Sequence, residues 1–236
     1  MDERLAERWQ LIQGRIAAAC SAAGRSTTDV RVVAVTKGLP AALAAAAVRL
    51  GLRDLGENRL QDALPRIQAL AEAGLRPRWH FIGRLQSNKA AKVAATFDAV
   101  DAVDSLDLAE RLNRAALALG RRLPVLLQVN AMDDPAKQGL DPDLLTDAAF
   151  RVAQLPGLLL EGLMTIGRLD ADEAATRAGF DRLAELRRDL MAALPGLPLP
   201  RMSMGMSEDF EAALAAGATE LRIGSLLFAG LDTPAG

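Results

Sequence analysis

Only four lysines occur in this chain, and one of them stands where covalent chemistry with a carbonyl could be done. Lys37 follows Val32-Val33-Ala34-Val35, a run that reads as a β-strand, so its amine would emerge at a strand end with its stem against an apolar wall. Desolvation there would disfavour the ammonium and leave a neutral amine able to attack an aldehyde. The same position also suits a lysine that reaches solvent or pairs with Glu57, and the strand pattern leaves both readings open. The other three are Lys89, Lys92 and Lys137; elsewhere the chain uses arginine.

A second group lies near the end of the chain. Ser207 is expected to open a helix after an apolar run, and Gly224-Ser225 follows another, with the short apolar segment Leu226 to Ala229 behind it. Backbone N–H groups at a helix start, a glycine permitting close approach and a serine hydroxyl together supply donors to a phosphate dianion without any lysine. Ser207 could equally serve as a helix cap, with Glu208 and Asp209 complementing the helix dipole. Arg222 should face the same side as Gly224 by strand alternation. Turned inward, it could donate to a ring nitrogen; turned outward, it would be a solvated charge.

Other chemistries lack their residues. One histidine and one cysteine cannot build a zinc site of the usual kinds, and neither a Ser-His-Asp arrangement nor a Gly-x-x-x-x-Gly-Lys loop is present. No metal ligand and no catalytic residue is assigned. His80, within Trp79-His80-Phe81-Ile82, is read as a structural hydrogen-bonding group, and Cys20, after Ala17-Ala18-Ala19, as a small residue packed on a helix.

These residues need elements to hold them. Leu5, Trp9, Ile12 and Ile16 recur at helical spacing and predict a leading amphipathic helix. Apolar runs rich in β-branched residues then alternate with helical stretches: Arg31 to Thr36, Asp54 to Gly56, Trp79 to Ile82, Val100 to Val103, Val125 to Val129, Leu158 to Met164, Met202 to Met204 and Leu221 to Ile223. Leu106 to Leu119 and Thr176 to Ala193 are two of the helices between them. Such alternation predicts an α/β fold, a (β/α)8 TIM-type barrel preceded by an N-terminal helix, although a doubly wound open sheet shares the local pattern. Breakers such as Asp133-Asp134-Pro135 are ordinary turns, no linker interrupts the rhythm, and one domain spanning residues 1–236 is expected. In a parallel barrel the strand C-termini converge on one face, which is where Lys37, Asn58, Ser207 and Gly224-Ser225 would meet.

A net charge of -2, with pairs such as Arg121-Arg122 and Arg187-Arg188 set among carboxylates, argues against nucleic acid as a partner. Asp2, Glu3, Arg4 and Glu7 fall where a secretory signal would need a basic start and an apolar run, and no later segment is free enough of charge to span a bilayer. The expectation is a cytoplasmic protein, a monomer with no membrane partner.

Val33-Ala34-Val35-Thr36-Lys37, Gly56-Glu57-Asn58, Trp79-His80-Phe81-Ile82-Gly83, Leu85-Gln86-Ser87-Asn88-Lys89, Ser203-Met204-Gly205-Met206-Ser207, Gly217-Ala218-Thr219 and Arg222-Ile223-Gly224 run in order along the chain. Together they closely resemble the pyridoxal phosphate homeostasis protein family. The resemblance implies a fold-type III barrel like the N-terminal domain of alanine racemase. It also implies pyridoxal 5'-phosphate as the cofactor, held as a Schiff base on Lys37, with phosphate contacts at Ser207, Gly224 and Ser225, Arg222 opposite the pyridine nitrogen and Asn58 near the ring. The sequence departs from the commoner family pattern at Gly38-Leu39, Arg59-Leu60, Asp62 and Arg84, and has Ser225 where threonine is frequent. The implied role is intracellular homeostasis of the vitamin B6 cofactor without substrate turnover, with delivery to apo enzymes that use it. A racemase-like enzyme on the same barrel is the alternative; its two-base mechanism needs a tyrosine opposite the lysine, and the chain has none. A Schiff-base aldolase for a phosphorylated sugar would share the lysine and the phosphate site.

Overall fold

The two hydrophobic periodicities of the sequence segregate into two layers. A computed structural model describes residues 2–132, 138–167 and 172–231; Lys137 and the expected turn at Asp133-Asp134-Pro135 lie outside these described residues. Helix α1 (Asp2–Ala22) leads, burying Leu5, Ile12 and Ile16 as its spacing predicts. Then β1 (Arg31–Val35), α2 (Ala41–Arg49), β2 (Asp54–Glu57), α3 (Leu60–Glu72), β3 (Arg78–Phe81), α4 (Ala90–Thr96), β4 (Ala99–Val103) and α5 (Leu106–Ala118) form the first half. The second half is β5 (Leu123–Gln128), α6 (Leu145–Ala153), β6 (Leu158–Met164), α7 (Glu173–Ala193), β7 (Arg201–Ser203), α8 (Phe210–Ala215), β8 (Glu220–Ile223) and α9 (Ser225–Phe228). The strands pair in parallel in sequential order, and β8 returns to β1 with Ala34 opposite Ile223, closing the barrel. Closure excludes the open sheet that the local pattern allowed.

Strand ends differ from the sequence expectation by a residue or two, because pairing rather than side-chain type sets where a ladder stops. Ile82 and Thr36 fall just past β3 and β1, and Glu57 falls within β2. Among the described residues no helix is long and apolar enough to cross a membrane. The outward strand residues Ala34, Leu55, Phe81, Val100, Leu127, Leu163, Leu221 and Ile223 join the helices in the main hydrophobic core. Cys20 is buried there too, as a packed small residue.

The inward residues at the strand N-termini are charged. Arg201 donates to both Asp101 (2.9 Å) and Glu220 (2.6 Å), and its third nitrogen reaches Glu161 at 3.0 Å. His80 lies between Asp101, 2.7 Å from Nδ1, and Asp54, 2.9 Å from Nε2. Arg31 approaches Asp54 at 3.8 Å and Arg78 approaches Glu161 at 3.7 Å, so four carboxylates share three guanidiniums and one imidazole. With an acceptor on each ring nitrogen, His80 must donate from both, which is the protonated form. His80, Asp101 and Glu220 bring ligand atoms within 4.8 Å of one another, but the Arg201 guanidinium already bonds both carboxylates and fills the role a cation would have.

Burial opposes charge on His80, yet Asp101, Asp54 and the nearby Glu220 hold its pKa up at about 9 from an ordinary 6.5. Its partner Asp101 is held well below the carboxylate range: burial works against the charge, and His80 and Arg201 overcome it. A raised histidine pKa contributes stability that is complete below the unfolded value and is lost as pH climbs through the folded one. The thermal midpoint should therefore fall by roughly 5 °C as pH rises from 6.5 to 9, a slope that His80→Gln should largely abolish in parallel calorimetric scans. A wild-type midpoint flat across that interval would contradict a charged His80.

Candidate functional site

At the other end of the barrel the loops after β7, β8, β1 and β2 form a contiguous arc, because those strands are neighbours in the closed sheet. Val35 and Gly224 sit side by side at its centre: a side-chain carbon on Gly224 would lie 3.3 Å from the Val35 Cβ. Lys37, two residues beyond Val35, lies in the turn that follows β1 and is exposed. That exposure corrects the expected desolvation of the amine. The apolar run ends at Val35, and the turn that follows lifts the side chain clear of the wall. The alternative pairing with Glu57 is not what forms, since Glu57 points outward to Thr36 and Arg66.

Ser207 is buried and does not open a helix as expected; it lies in a turn, α8 starts at Phe210, and the helix is preceded by Asp209. Its hydroxyl oxygen accepts from the backbone N–H of Gly224 at 3.3 Å and of Leu226 at 3.2 Å. With both lone pairs engaged, the Ser207 O–H proton is left to donate. Gly224 precedes α9 and Ser225 is its first residue, exposed; Ser207 thus caps the start of this helix, and the Leu227 and Phe228 N–H groups donate to the Gly224 carbonyl. The Asp209 carboxylate accepts from Met206 N and holds the same loop. The Ser207 O–H and the exposed Ser225 are groups of the kind that can donate to an oxyanion.

Arg222 faces inward and is 4 % exposed, which decides between the two orientations open in the sequence. It donates to Ser203 Oγ and to the Thr165 carbonyl, both at 2.8 Å, using two of its five N–H donors. Burial lowers its pKa, while Glu220, Asp101 and Asp209 pull the other way. Asn58 is half-buried beyond β2, and Gly83 packs against it so closely that a Cβ there would come within 2.6 Å of the Asn58 Cβ. The sequence reading therefore assembled one arc from four strand ends but missed Arg66. The signal was available: Arg66 occupies the apolar stripe of α3 with Leu60, Ala63 and Leu70, an odd place for an arginine without a buried partner.

Residues 11–232 match the family model described as alanine racemase, N-terminal domain. A pyridoxal phosphate homeostasis protein of Pseudomonas aeruginosa is 45% identical over 228 residues, 97% of this chain and 96% of that one. This chain belongs to the pyridoxal phosphate homeostasis protein family. PipY of Synechococcus elongatus, solved with pyridoxal phosphate bound, is similar at 37% identity and a TM-score of 0.85, covering 95% of this chain and 99% of that chain. Alanine racemase of Clostridium difficile shares the fold alone, with 15% identity and a TM-score of 0.73 over 94% of this chain and 56% of that one. The family's barrel is thus the architecture expected from the motif series.

The packing around Asn58 gives a direct check. Gly83→Ala should cost roughly 1–3 kcal/mol in denaturant unfolding, because the added methyl meets Asn58 backbone atoms that cannot rotate away. Gly14→Ala, on the exposed face of α1 with open space around it, should instead stabilise by about 0.5–1 kcal/mol.

Proposed function

We propose that this protein binds pyridoxal 5'-phosphate reversibly through Lys37 and serves intracellular homeostasis of that cofactor without turning over a substrate. The observation that supports the reading is the packing of Val35 against Gly224, which joins the end of the strand before Lys37 to the loop that carries Ser225 and binds Ser207. The cofactor supplies an aldehyde that condenses with a lysine amine, releasing water, and is freed again by hydrolysis. Lys37 is the attachment point. Ser207 would donate to the phosphate with the N–H groups around Gly224 and Ser225, Arg222 would face the pyridine nitrogen from below, and Asn58 would flank the ring.

A carrier role agrees with what surrounds the mouth. The chain contains no tyrosine to act as an opposing acid or base, and its one histidine, His80, is fully buried between two carboxylates on the barrel floor. A guanidinium at the pyridine nitrogen disfavours ring protonation and so weakens the electron sink that carbanion chemistry needs. The exposed Lys37 can exchange its cargo with solvent or with an apo enzyme that uses the same cofactor. We place this activity in the cytoplasm, on a monomer.

Purified protein should absorb as a lysine-bound chromophore, and borohydride should fix pyridoxyl mass on the peptide containing Lys37; Lys37→Ala should lose both signals. Ser207→Ala should weaken cofactor affinity about tenfold by removing one charge-assisted donor. Turnover of alanine or serine enantiomers at enzymatic rates, abolished by Lys37→Ala, would refute the carrier role.

A further inference from the structure

Lys37 and Gly38 form the corner of a tight turn, closed by the Leu39 N–H donating to the Thr36 carbonyl at 3.1 Å. Gly38 has φ +75°, a value that L side chains rarely adopt, so the turn is tied to glycine there. Both ends of this turn are fixed from behind the sheet. The Thr36 hydroxyl donates to Glu57 Oε1, and the Leu39 carbonyl accepts from Arg66 Nε at 3.0 Å and from Nη2. Arg66 Nη1 joins the two tethers, donating to the same Glu57 oxygen at 2.7 Å.

This arrangement is costly to bury. Glu57 is 0 % and Arg66 6 % exposed, and Glu57 Oε2 is buried with no hydrogen-bond partner among the described residues. A buried ion pair seldom adds net stability over apolar residues of the same volume, and an unsatisfied carboxylate oxygen makes this one poorer still. Among the described residues, every side-chain hydrogen bond the pair makes beyond itself runs to Thr36 and Leu39, on either side of Lys37, or to the first turn of α3 at Asp62 O. We infer that the Glu57–Arg66 pair is a positioning clamp: it holds the backbone on either side of Lys37 so that the exposed amine meets an aldehyde-bearing ligand in a fixed orientation. Neither residue touches the ligand. The inference rests on Lys37 being the attachment point.

The test uses the full chain and two probes that differ only at the reacting carbon. Pyridoxal 5'-phosphate reports adduct formation, read as the rate of borohydride-trapped mass on the Lys37 peptide. Pyridoxamine 5'-phosphate has the same ring and phosphate but an amine in place of the aldehyde, so its affinity reports the cradle alone. Arg66→Met should slow adduct formation about tenfold and leave pyridoxamine phosphate affinity within about twofold, because orientation is lost and the phosphate donors are not. Thr36→Val, which removes one tether, should slow it about threefold, and Arg66→Lys should recover part of the rate by restoring the charge opposite Glu57. Unchanged rates in Arg66→Met, or parallel loss of both probes, would overturn the clamp. If Arg66→Met does not fold, Thr36→Val decides on the same two readouts. Absence of any trapped Lys37 adduct in the wild-type protein would refute the underlying attachment, and the clamp with it.

Discussion

The fold depends on keeping charge inside a barrel. Four carboxylates enter the lumen from β2, β4, β6 and β8, and Arg201 alone touches three of them. Remove that guanidinium and the carboxylates repel one another in a medium that screens little. The strands that carry them are each only a few residues long, so the network ties together sheet positions that hydrogen-bonded neighbours alone do not connect. It also conditions what lies above: Arg222 is one pleat higher on β8 than Glu220, and Glu220 and Asp101, with Asp209, oppose the lowering of its pKa by burial.

A solid polar floor beneath an open mouth divides the barrel by task. The floor is a network of buried ion pairs, although Arg31 Nη1 and Glu220 Oε1 have no hydrogen-bond partner among the described residues; the mouth carries the exposed Lys37 and Ser225. The chain's one imidazole belongs to the floor, held between Asp101 and Asp54.

Sequence periodicity revealed the elements, and the rule that parallel barrels gather function at strand C-termini revealed the arc. Lys37, Gly224 and Arg222 were legible because each sits at a fixed offset from an apolar run. Ser207 was legible as a neighbour of the Gly224 loop and misread as a helix opener, since a serine before acidic residues has the same local signature in a turn as at a cap. The amine's exposure was not legible, because it depends on where the ladder stops. The floor network was hidden for a different reason: Asp101, Glu161, Arg201 and Glu220 are far apart in sequence, and only the register of the closed sheet makes them partners.

Helix α1 has one further effect. Its Arg8 donates to the carbonyls of Leu227, at 3.2 Å, and Ala229, at 2.7 Å, at the far end of the short helix that follows β8. Helix α1 is thereby stitched to α9, directly behind the strand that closes the barrel. Until β8 has been made, the edge of β1 is bare and Arg8 has nothing to grip. Ring closure and the tie between these two helices thus hang on one late segment, and losing it would undo both at once.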